Sequence, residues 1–443
     1  MTKILLYGLS MLTLIVQKTN AQDADSNKVE RFSIHAQTTV INQYKFAYSA
    51  PYSGSNSLRT SDESQTSLTS TLYFGARLWK GASAFINPEI AGGSGLSGAL
   101  GIAAATNGET FRIGDPSPKT YVARVFFRQV FELRASKHEK LTHYFHNHSD
   151  FNQLEENVPT NYFAITAGKV SISDYFDDNS FSHDPRTQFM SWGLMSNGAW
   201  DYPANTRGYT PSIVLEYADP KNEIRYGYSM VPATANDNIM DNNLNKAGAH
   251  TIEYTLKFKH KEQKGAIRLL AYYNLANMGS YQQGIISGDI SLSRSYQNHK
   301  YGFCLNSEYE FSKQIAWFMR AGWNDGENET WCFTEIDQSF STGVLIKGYS
   351  WKREEDNIGL AIAVSGLSQM HRNYLNAGGS GFMLGDGKLN YANEKLLECF
   401  YSKEMVADRM YLTGTYQFLL NPGYNADRKG PVNIISARVH FRF

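Results

Sequence analysis

The sequence predicts an all-β fold, a transmembrane antiparallel β-barrel of about 16 strands in an outer membrane. Apolar and polar residues alternate with a period of two in many segments, and short connections alternate with long ones. Aromatic residues make up 14% of the chain although its mean hydropathy is polar. Because only helices and closed barrels satisfy every backbone polar group inside lipid, this pattern favours a chain that crosses the membrane with strands.

Residues 1–21 are expected to be an export signal peptide that is removed. Lys3 precedes an apolar core from Ile4 to Val16, and Ala21 ends an acceptable cleavage site. The core is shorter than the roughly 20 residues of a membrane anchor, and no later segment is long and apolar enough for a spanning helix. No linker or low-complexity stretch divides residues 22–443, so we expect one domain there.

Strand alternation is clearest near the end of the chain. Ile435, Val439 and Phe441 alternate with Arg438 and His440, so one face is apolar and the other cationic. The same period recurs at residues 71–78, 124–133, 223–230, 251–259 and 314–323, with the charges on one face. The terminal Phe443 resembles the last strand that the barrel-assembly machinery of the outer membrane recognises.

The lengths of the connections give a second test. About sixteen strands are expected to begin near residues 32, 68, 82, 120, 161, 209, 222, 249, 265, 300, 314, 341, 357, 393, 409 and 431. Tight links alternate with long polar loops such as 92–118 and 173–207, as short periplasmic turns and long external loops do in outer-membrane barrels. The link 135–160 is long although it falls on the short-turn side, and we expect a solvated periplasmic insertion there.

Charge and cysteine content exclude several classes of protein. Lys plus Arg equals Asp plus Glu at 42 each, so nothing suggests nucleic acid as a partner. Three cysteines, Cys304, Cys332 and Cys399, are too few for a disulfide framework and lack metal-ligand spacing, although a bridge between Cys304 and Cys332 stays open.

No metal site or cofactor is predicted. Asp174, Asp177 and Asp178 fit a turn but lack the other oxygen ligands of a calcium loop. The insertion is rich in histidine, yet its residues lack the spacing of a helical zinc pair and lack a fixed carboxylate or thiol partner. These residues are His138, His143, His146 and His148.

No catalytic site is predicted either. The sequence contains no Gly-x-Ser-x-Gly elbow, and the segment Ser182-His183-Asp184 lies in a loop without an evident oxyanion hole. Barrel enzymes do not need that elbow, so an outer-membrane hydrolase remains a weaker alternative.

Several motifs, in a specific order over nearly the whole mature chain, resemble the OprB-type carbohydrate-selective porins. The motifs are 49–58 (SAPYSGSNSL), 87–89 (NPE), 96–101 (LSGALG), 107–109 (NGE), 184–189 (DPRTQF), 195–202 (MSNGAWDY), 206–209 (TRGY) and 421–425 (NPGYN). The insertion at 135–160 departs from this resemblance because it is longer than expected.

The resemblance implies a sixteen-stranded barrel and passive diffusion of mono- or oligosaccharides across the cell outer membrane, with no cofactor. Sugars offer hydroxyls for hydrogen bonds and apolar ring faces for stacking, so a selective lumen needs charged or amide groups mixed with aromatic rings. The loop 173–207, with Arg186, Trp200 and Asp201, is expected to fold inward and narrow the pore. Strand parity turns six charged residues toward the lumen: Arg77, Glu89, Arg124, Arg128, Glu216 and Arg225.

Other roles compete with sugar contact. Charged lumen residues also pair across strands and hold the shape of a barrel, and a loop tryptophan often packs beneath its own loop. A general diffusion porin and a loop-closed structural or adhesive barrel are the alternative functions, and a homotrimer stays open. Aromatic girdles at the lipid interfaces are expected to include Trp79, Trp317, Trp323, Trp351 and Tyr226.

Overall fold

The computed structural model of the chain describes residues 29–110, 116–133 and 144–443. The signal peptide expected at residues 1–21 lies outside this part of the chain. The strands are β1 (Phe32–Lys45), β2 (Glu63–Trp79), β3 (Ala82–Gly92), β4 (Lys119–Glu132), β5 (Tyr144–Asn147), β6 (Glu156–Pro159), β7 (Tyr162–Val170), β8 (Thr210–Ala218), β9 (Asn222–Ser229), β10 (Gly248–His260), β11 (Gln263–Leu275), β12 (His299–Glu310), β13 (Ile315–Asn324), β14 (Gln338–Gly348), β15 (Arg353–Gly366), β16 (Glu394–Val406), β17 (Met410–Leu420) and β18 (Val432–Arg442).

Short helices lie in the connections. The α-helices are α1 (Trp192–Met195), α2 (Tyr281–Ser287) and α3 (Gln369–Asn376). Turns of 3-10 helix lie at Leu96–Gly98, Ile172–Asp174, Ile290–Ser293, Tyr349–Trp351, Pro422–Tyr424 and Ala426–Arg428. Among the described residues, no helix is long and apolar enough to cross a membrane.

Sixteen of the described strands close into one antiparallel barrel, in which strands that are consecutive in the barrel pair with each other. Strand β1 closes the barrel by pairing with β18, from Gln37 opposite Arg442 to Lys45 opposite Ile434. Strands β5 and β6 form a separate hairpin between β4 and β7. The predicted fold class and strand count are confirmed, and the strands begin within a few residues of the predicted positions.

The two ends of the barrel differ in the length of their connections. One end carries short turns and the β5–β6 hairpin, and the other carries long loops. Because outer-membrane barrels have short periplasmic turns and long extracellular loops, the long loops mark the extracellular end. We name these loops L1 (46–62), L2 (93–118), L3 (171–209), L4 (230–247), L5 (276–298), L6 (325–337), L7 (367–393) and L8 (421–431).

The two faces of the wall differ as the alternation predicts. The apolar side chains of Leu256 and Ile435 face outward with 38% and 47% of their surfaces exposed. Their polar neighbours Glu253 and Arg438 face inward and are 1% and 0% exposed. The outer face is therefore an apolar belt suited to lipid, because the interior of the barrel takes the charges.

Leu269 tests the lipid-facing assignment. It lies at the middle of β11, beside Tyr254 and Leu305 of the neighbouring strands, with 56% of its surface exposed. Leu269→Arg should lower the free energy of unfolding in phospholipid vesicles by about 2–4 kcal/mol, the cost of an arginine near the bilayer midplane. Leu269→Phe is the matched control and should change little. If Leu269→Arg and Leu269→Phe had the same free energy of unfolding, this face of the barrel would not be in contact with lipid.

Candidate functional site: the passage through the barrel

The extracellular loops fill much of the lumen. Phe176, Trp192 and Trp200 of L3 belong to one buried apolar cluster with Phe333 of L6 and Leu375 of L7. Loops that pack on one another in this way exclude water from the space they occupy. The open passage is therefore confined to the rest of the barrel.

The inner wall is itself apolar where L3 covers it. The Phe189 ring of L3 packs on Phe318 of β13 and Phe400 of β16, with ring centroids 5.5 Å and 5.0 Å apart. Strand alternation turns these two rings toward the lumen together with the charged residues. They do not meet water, because the folded loop covers them.

Asp177 of L3 fixes the loop to three strands. Its carboxylate accepts hydrogen bonds from Arg320 of β13 at 3.0 Å and Asn306 of β12 at 2.8 Å. Its backbone N–H donates to Glu253 of β10 at 2.8 Å, and its second carboxylate oxygen accepts from the backbone N–H of Asn197 at 2.6 Å. The buried Asp177 thus joins both limbs of L3 to the wall and neutralises the buried Arg320.

Inward carboxylates of β16 hold the loops through backbone amides. Glu398 accepts hydrogen bonds from the N–H groups of Met190 and Ser191 at 2.7 Å and 3.1 Å. Glu394 does the same for two amides of L2, at 3.0 Å and 2.8 Å. Buried N–H groups need acceptors, and loops inside a barrel cannot take them from a sheet. These lumen carboxylates therefore have a structural role.

A cavity of about 630 Å³ lies along one side of the lumen, and we call it the passage. Strands β1 to β4 and β7 to β9 supply its wall, and the extracellular loops, mainly L3, supply its opposite side. It extends from Asn205 and Thr206 of L3 to Phe145 and Glu156 of the β5–β6 hairpin. Five arginines line it, and Arg207 of L3 lies over the ring of Tyr121, 4.2 Å from its centroid. The other four form ion pairs, and we call them the arginine cluster: Arg124, Arg128, Arg186 and Arg225.

Arg124 projects from β4 and is held from two directions. Its Nε and Nη2 donate to the two carboxylate oxygens of Asp174 at 2.6 Å and 2.7 Å. Its guanidinium carbon lies 5.1 Å from the centroid of the Tyr209 ring. A bidentate ion pair and a ring contact fix the plane of a guanidinium, so Arg124 is a preorganised group in the passage.

Arg186 enters the passage from L3 and contacts acids of L2 and β3. Its Nε donates to Glu109 at 2.8 Å, and its Nη2 donates to Glu89 at 3.3 Å. Its Nη1 reaches the hydroxyl of Tyr73 at 3.4 Å. Tyr209 also donates to Glu89, at 3.0 Å. Arg186 thus ties the loop to the barrel wall at the edge of the passage.

The other two arginines share one carboxylate. Arg128 of β4 and Arg225 of β9 donate to the two oxygens of Glu216 of β8 at 2.9 Å and 2.8 Å. Glu216 is 3% exposed, whereas the arginine side chains are 23% and 17% exposed. The carboxylate is therefore more buried than the two arginines, both of which line the passage. Arg225 also donates to Glu223 and to the backbone carbonyl of Tyr175.

Four residues predicted for the pore lie outside this lining. Glu89 is 1% exposed and pairs with Arg186. Arg77 pairs with Glu156 of the hairpin at 2.7 Å, near the periplasmic end. Trp200 is fully buried in the apolar cluster of L3 and does not line the passage. Asp201 is also buried, and its carboxylate accepts the backbone N–H groups of Trp331, Cys332 and Phe333 of L6 at 2.9, 2.8 and 2.8 Å.

Asp201 and Trp200 belong to a loop that folds into the lumen, as predicted, but both side chains are buried where that loop packs on other loops. Burial raises the pKa of the Asp201 carboxyl, against the opposing effects of Lys300 and the three N–H donors. Both residues therefore stabilise the contact between L3 and L6. Cys304 and Cys332, for which a bridge was left open, are free and buried.

The structure adds residues that the sequence analysis did not choose. Tyr73 and Tyr209 line the passage beside the arginines, and Glu109 and Asp174 neutralise Arg186 and Arg124. The strand alternation at residues 71–78 already predicts that Tyr73 faces inward. Asp174 was considered only as a calcium ligand, because the sequence does not show that L3 returns to Arg124.

Comparison with known proteins gives a family and a fold. Residues 55–443 match the carbohydrate-selective porin, OprB family. The structure of OprB from Pseudomonas putida at high pH is similar, with a TM-score of 0.70, 14% identity, and coverage of 93% of this chain and 94% of that one. The outer-membrane channel DcaP of Acinetobacter baumannii gives a TM-score of 0.49 at 10% identity, covering 93% of this chain and 97% of that one. No curated protein sequence matches this chain significantly.

The family match leaves out only residues 1–54 and includes every strand of the barrel except β1. At the identities found, the likeness to solved structures shows the fold alone, and the family match carries the relationship. The suspected resemblance, the outer-membrane location and the sugar-selective channel function are thereby confirmed. The chain belongs to the OprB family of carbohydrate-selective porins.

Proposed function

We propose that the arginine cluster is the section of the passage that selects neutral sugars by size and hydrogen bonding. The observation that carries this proposal is the balance of charge along the wall. The four arginines of the cluster are ion-paired to Glu89, Glu109, Asp174, Glu216 and Glu223, and the fifth arginine of the lining is Arg207. A lining that holds both signs in fixed pairs attracts neither cations nor anions strongly.

The chemistry of the lining suits sugar hydroxyls. A guanidinium has five N–H donors, and Asp174 takes two from Arg124, so the same group can donate others to a solute. The ring of Tyr209 lies beside Arg124 and lines the passage with 5% of its surface exposed, so it offers a solute a small apolar edge. Donors and an aromatic ring at one place are what a carbohydrate needs.

A channel without catalysis is part of this proposal. In the segment Ser182-His183-Asp184, Ser182 is fully buried and its hydroxyl donates to the carbonyl of Leu194 at 2.6 Å. A hydroxyl held in this way is not presented to a solute as a nucleophile. We expect sugars to be recovered chemically unchanged after passage.

Liposome swelling tests the proposal. Vesicles that contain the protein should swell faster in a neutral monosaccharide than in a uronic acid or an amino sugar of similar size, and more slowly in trisaccharides. Swelling that follows size alone would identify a general diffusion porin. No stable channels in planar bilayers would favour the loop-closed structural barrel.

Other expected partners stay predictions. Phe443 remains our candidate signal for the barrel-assembly machinery, and its backbone N–H donates to the carbonyl of Ala36 of β1 at 2.9 Å. A homotrimer, and the choice between mono- and oligosaccharides, likewise remain to be tested by mass measurement and by the swelling panel.

A further inference from the structure

The β5–β6 hairpin has no part in the function proposed for the arginine cluster. A solvated insertion is expected from the sequence at 135–160, whereas the described part of it, 144–160, is docked on the barrel. Leu154, in the bend between the two strands, is 2% exposed and belongs to a buried cluster with Phe85, Phe126 and Val170. Phe85 and Phe126 stand on the inner wall, so the hairpin enters the lumen and covers them.

The rim of the barrel holds the hairpin at separate points. Arg77 of β2 pairs with Glu156 at 2.7 Å, and Arg442 of β18 pairs with Asp150 at 2.9 Å. His35 of β1 lies 2.9 Å from the hydroxyl of Ser149. Attachment to three strands in addition to the apolar anchor fixes the position of the hairpin relative to the passage.

The hairpin also contacts the edge of the arginine cluster. The Phe151 ring is stacked on the ring of Tyr73, with centroids 4.5 Å apart and planes at 22°. The hydroxyl of Tyr73 faces Arg186 on the other side. The guanidinium of Arg442 lies over Phe151, 5.2 Å from its centroid. Phe151 therefore supports a tyrosine that lines the passage.

One side of the hairpin lines the periplasmic part of the passage. Phe145 is 44% exposed there, and Asn147 and Gln153 add amide groups. An exposed aromatic ring beside amide groups can stack on a sugar ring and bond to its hydroxyls. The hairpin places this combination closer to the periplasm than the arginine cluster.

From these contacts we propose that residues 144–160 form a second, periplasmic-side selectivity filter for sugars. The filter sets the width of the exit with Phe145 and Asn147, and it positions Tyr73 through Phe151. This inference rests on the proposed function, because it assumes that sugars use this passage. Its first test therefore measures the exit independently of sugars.

Cysteine substitution tests the wall. In a Cys399→Ser background, Phe145→Cys and Asn147→Cys should react with a methanethiosulfonate trimethylammonium reagent added from the periplasmic side, and each reaction should cause a stepwise loss of single-channel conductance. Glu262→Cys is the matched control: Glu262 lies on a periplasmic turn with an 88% exposed side chain and does not line the passage. Cys304 and Cys332 are retained because both are buried.

Complete labelling of Phe145→Cys and Asn147→Cys by mass spectrometry without a loss of conductance would overturn the proposal. A loss equal to that of Glu262→Cys would do the same. Neither result depends on sugar selectivity, so the failure of this inference is distinguishable from the failure of the proposed function, which the swelling assay measures.

Phe151 tests the positioning role. Phe151→Ala should raise the rate of disaccharide swelling relative to monosaccharide swelling, and Phe151→Tyr, which keeps the ring, should restore the wild-type ratio. A merely structural role would lower the yield of folded protein and leave the ratio in the folded fraction unchanged. An unchanged ratio in folded Phe151→Ala protein would remove Tyr73 positioning from the proposal.

Discussion

Asp177→Ala should release L3 from the wall and turn the narrow passage into a wide, unselective pore. The substitution leaves Arg320 buried without its carboxylate, and breaking a buried ion pair in this way costs about 3–5 kcal/mol. It also removes the acceptors of Asn306 and Asn197. Planar bilayers should show a severalfold larger conductance with more frequent transitions, and a protease should cut L3 in the folded barrel.

Asp177→Asn is the matched control. Asp177 has a left-handed backbone with φ of 56°, which Asp and Asn tolerate better than most residues. The asparagine keeps a carbonyl acceptor for Arg320, so we expect a smaller increase in conductance. Wild-type conductance and protease resistance in Asp177→Ala would show that the loop is held without this ion pair.

Arg186→Ala should widen the passage and make it cation-selective. It removes the cation that contacts both Glu109 and Glu89, at 2.8 Å and 3.3 Å, so two carboxylates lose this ion-pair partner. The reversal potential in a salt gradient should shift toward the cation, and the discrimination between neutral sugars of different size should weaken. Arg186→Lys keeps the charge and loses the planar fork, so it should retain the ion balance and lose part of the sugar selectivity.

The cation preference of Arg186→Ala should depend on pH. Burial raises the pKa of the Glu109 carboxyl, and Arg186 counteracts that rise in the wild-type protein. Without the arginine the pKa rises further, so Glu109 holds its proton at low pH and becomes negative as the pH increases. The cation preference should therefore grow with increasing pH. A preference that falls as the pH rises would contradict this account of the cluster.

A double variant separates charge from size. Arg186→Ala combined with Glu109→Gln removes one cation and one anion, so it restores the balance of charge and keeps the shorter side chain. Its conductance should stay above that of the wild-type protein while its ion preference returns toward the wild-type value. Recovery of both properties would mean that charge alone sets the conductance.

Strand parity predicted which residues of the strands face the lumen. Glu89, Arg124, Arg128, Glu216 and Arg225 face the lumen because alternate residues of a strand point to the same face. Parity does not show what covers that face. Phe318 and Phe400 also point inward, and they are dry because L3 lies over them.

The loops could not be assigned in the same way. Arg186 reached the passage as expected, whereas Trp200 and Asp201 of the same loop became part of its packed interior. The difference depends on partners far along the chain, since Asp201 binds amides of L6 and Trp200 packs with residues of several loops. The two-residue alternation along a strand gives no information about contacts of this kind.

By itself, the sequence determined that the chain is a sixteen-stranded barrel with an apolar outer belt, because strand parity and turn spacing are local properties that lipid and backbone hydrogen bonding enforce at every residue. Only the tertiary structure decided which part of the lumen stays open. The open part depends on contacts between residues far apart in the chain. Asp177 of L3 pairs with Arg320 of the wall, and Leu154 of the hairpin packs with Phe85 of the wall.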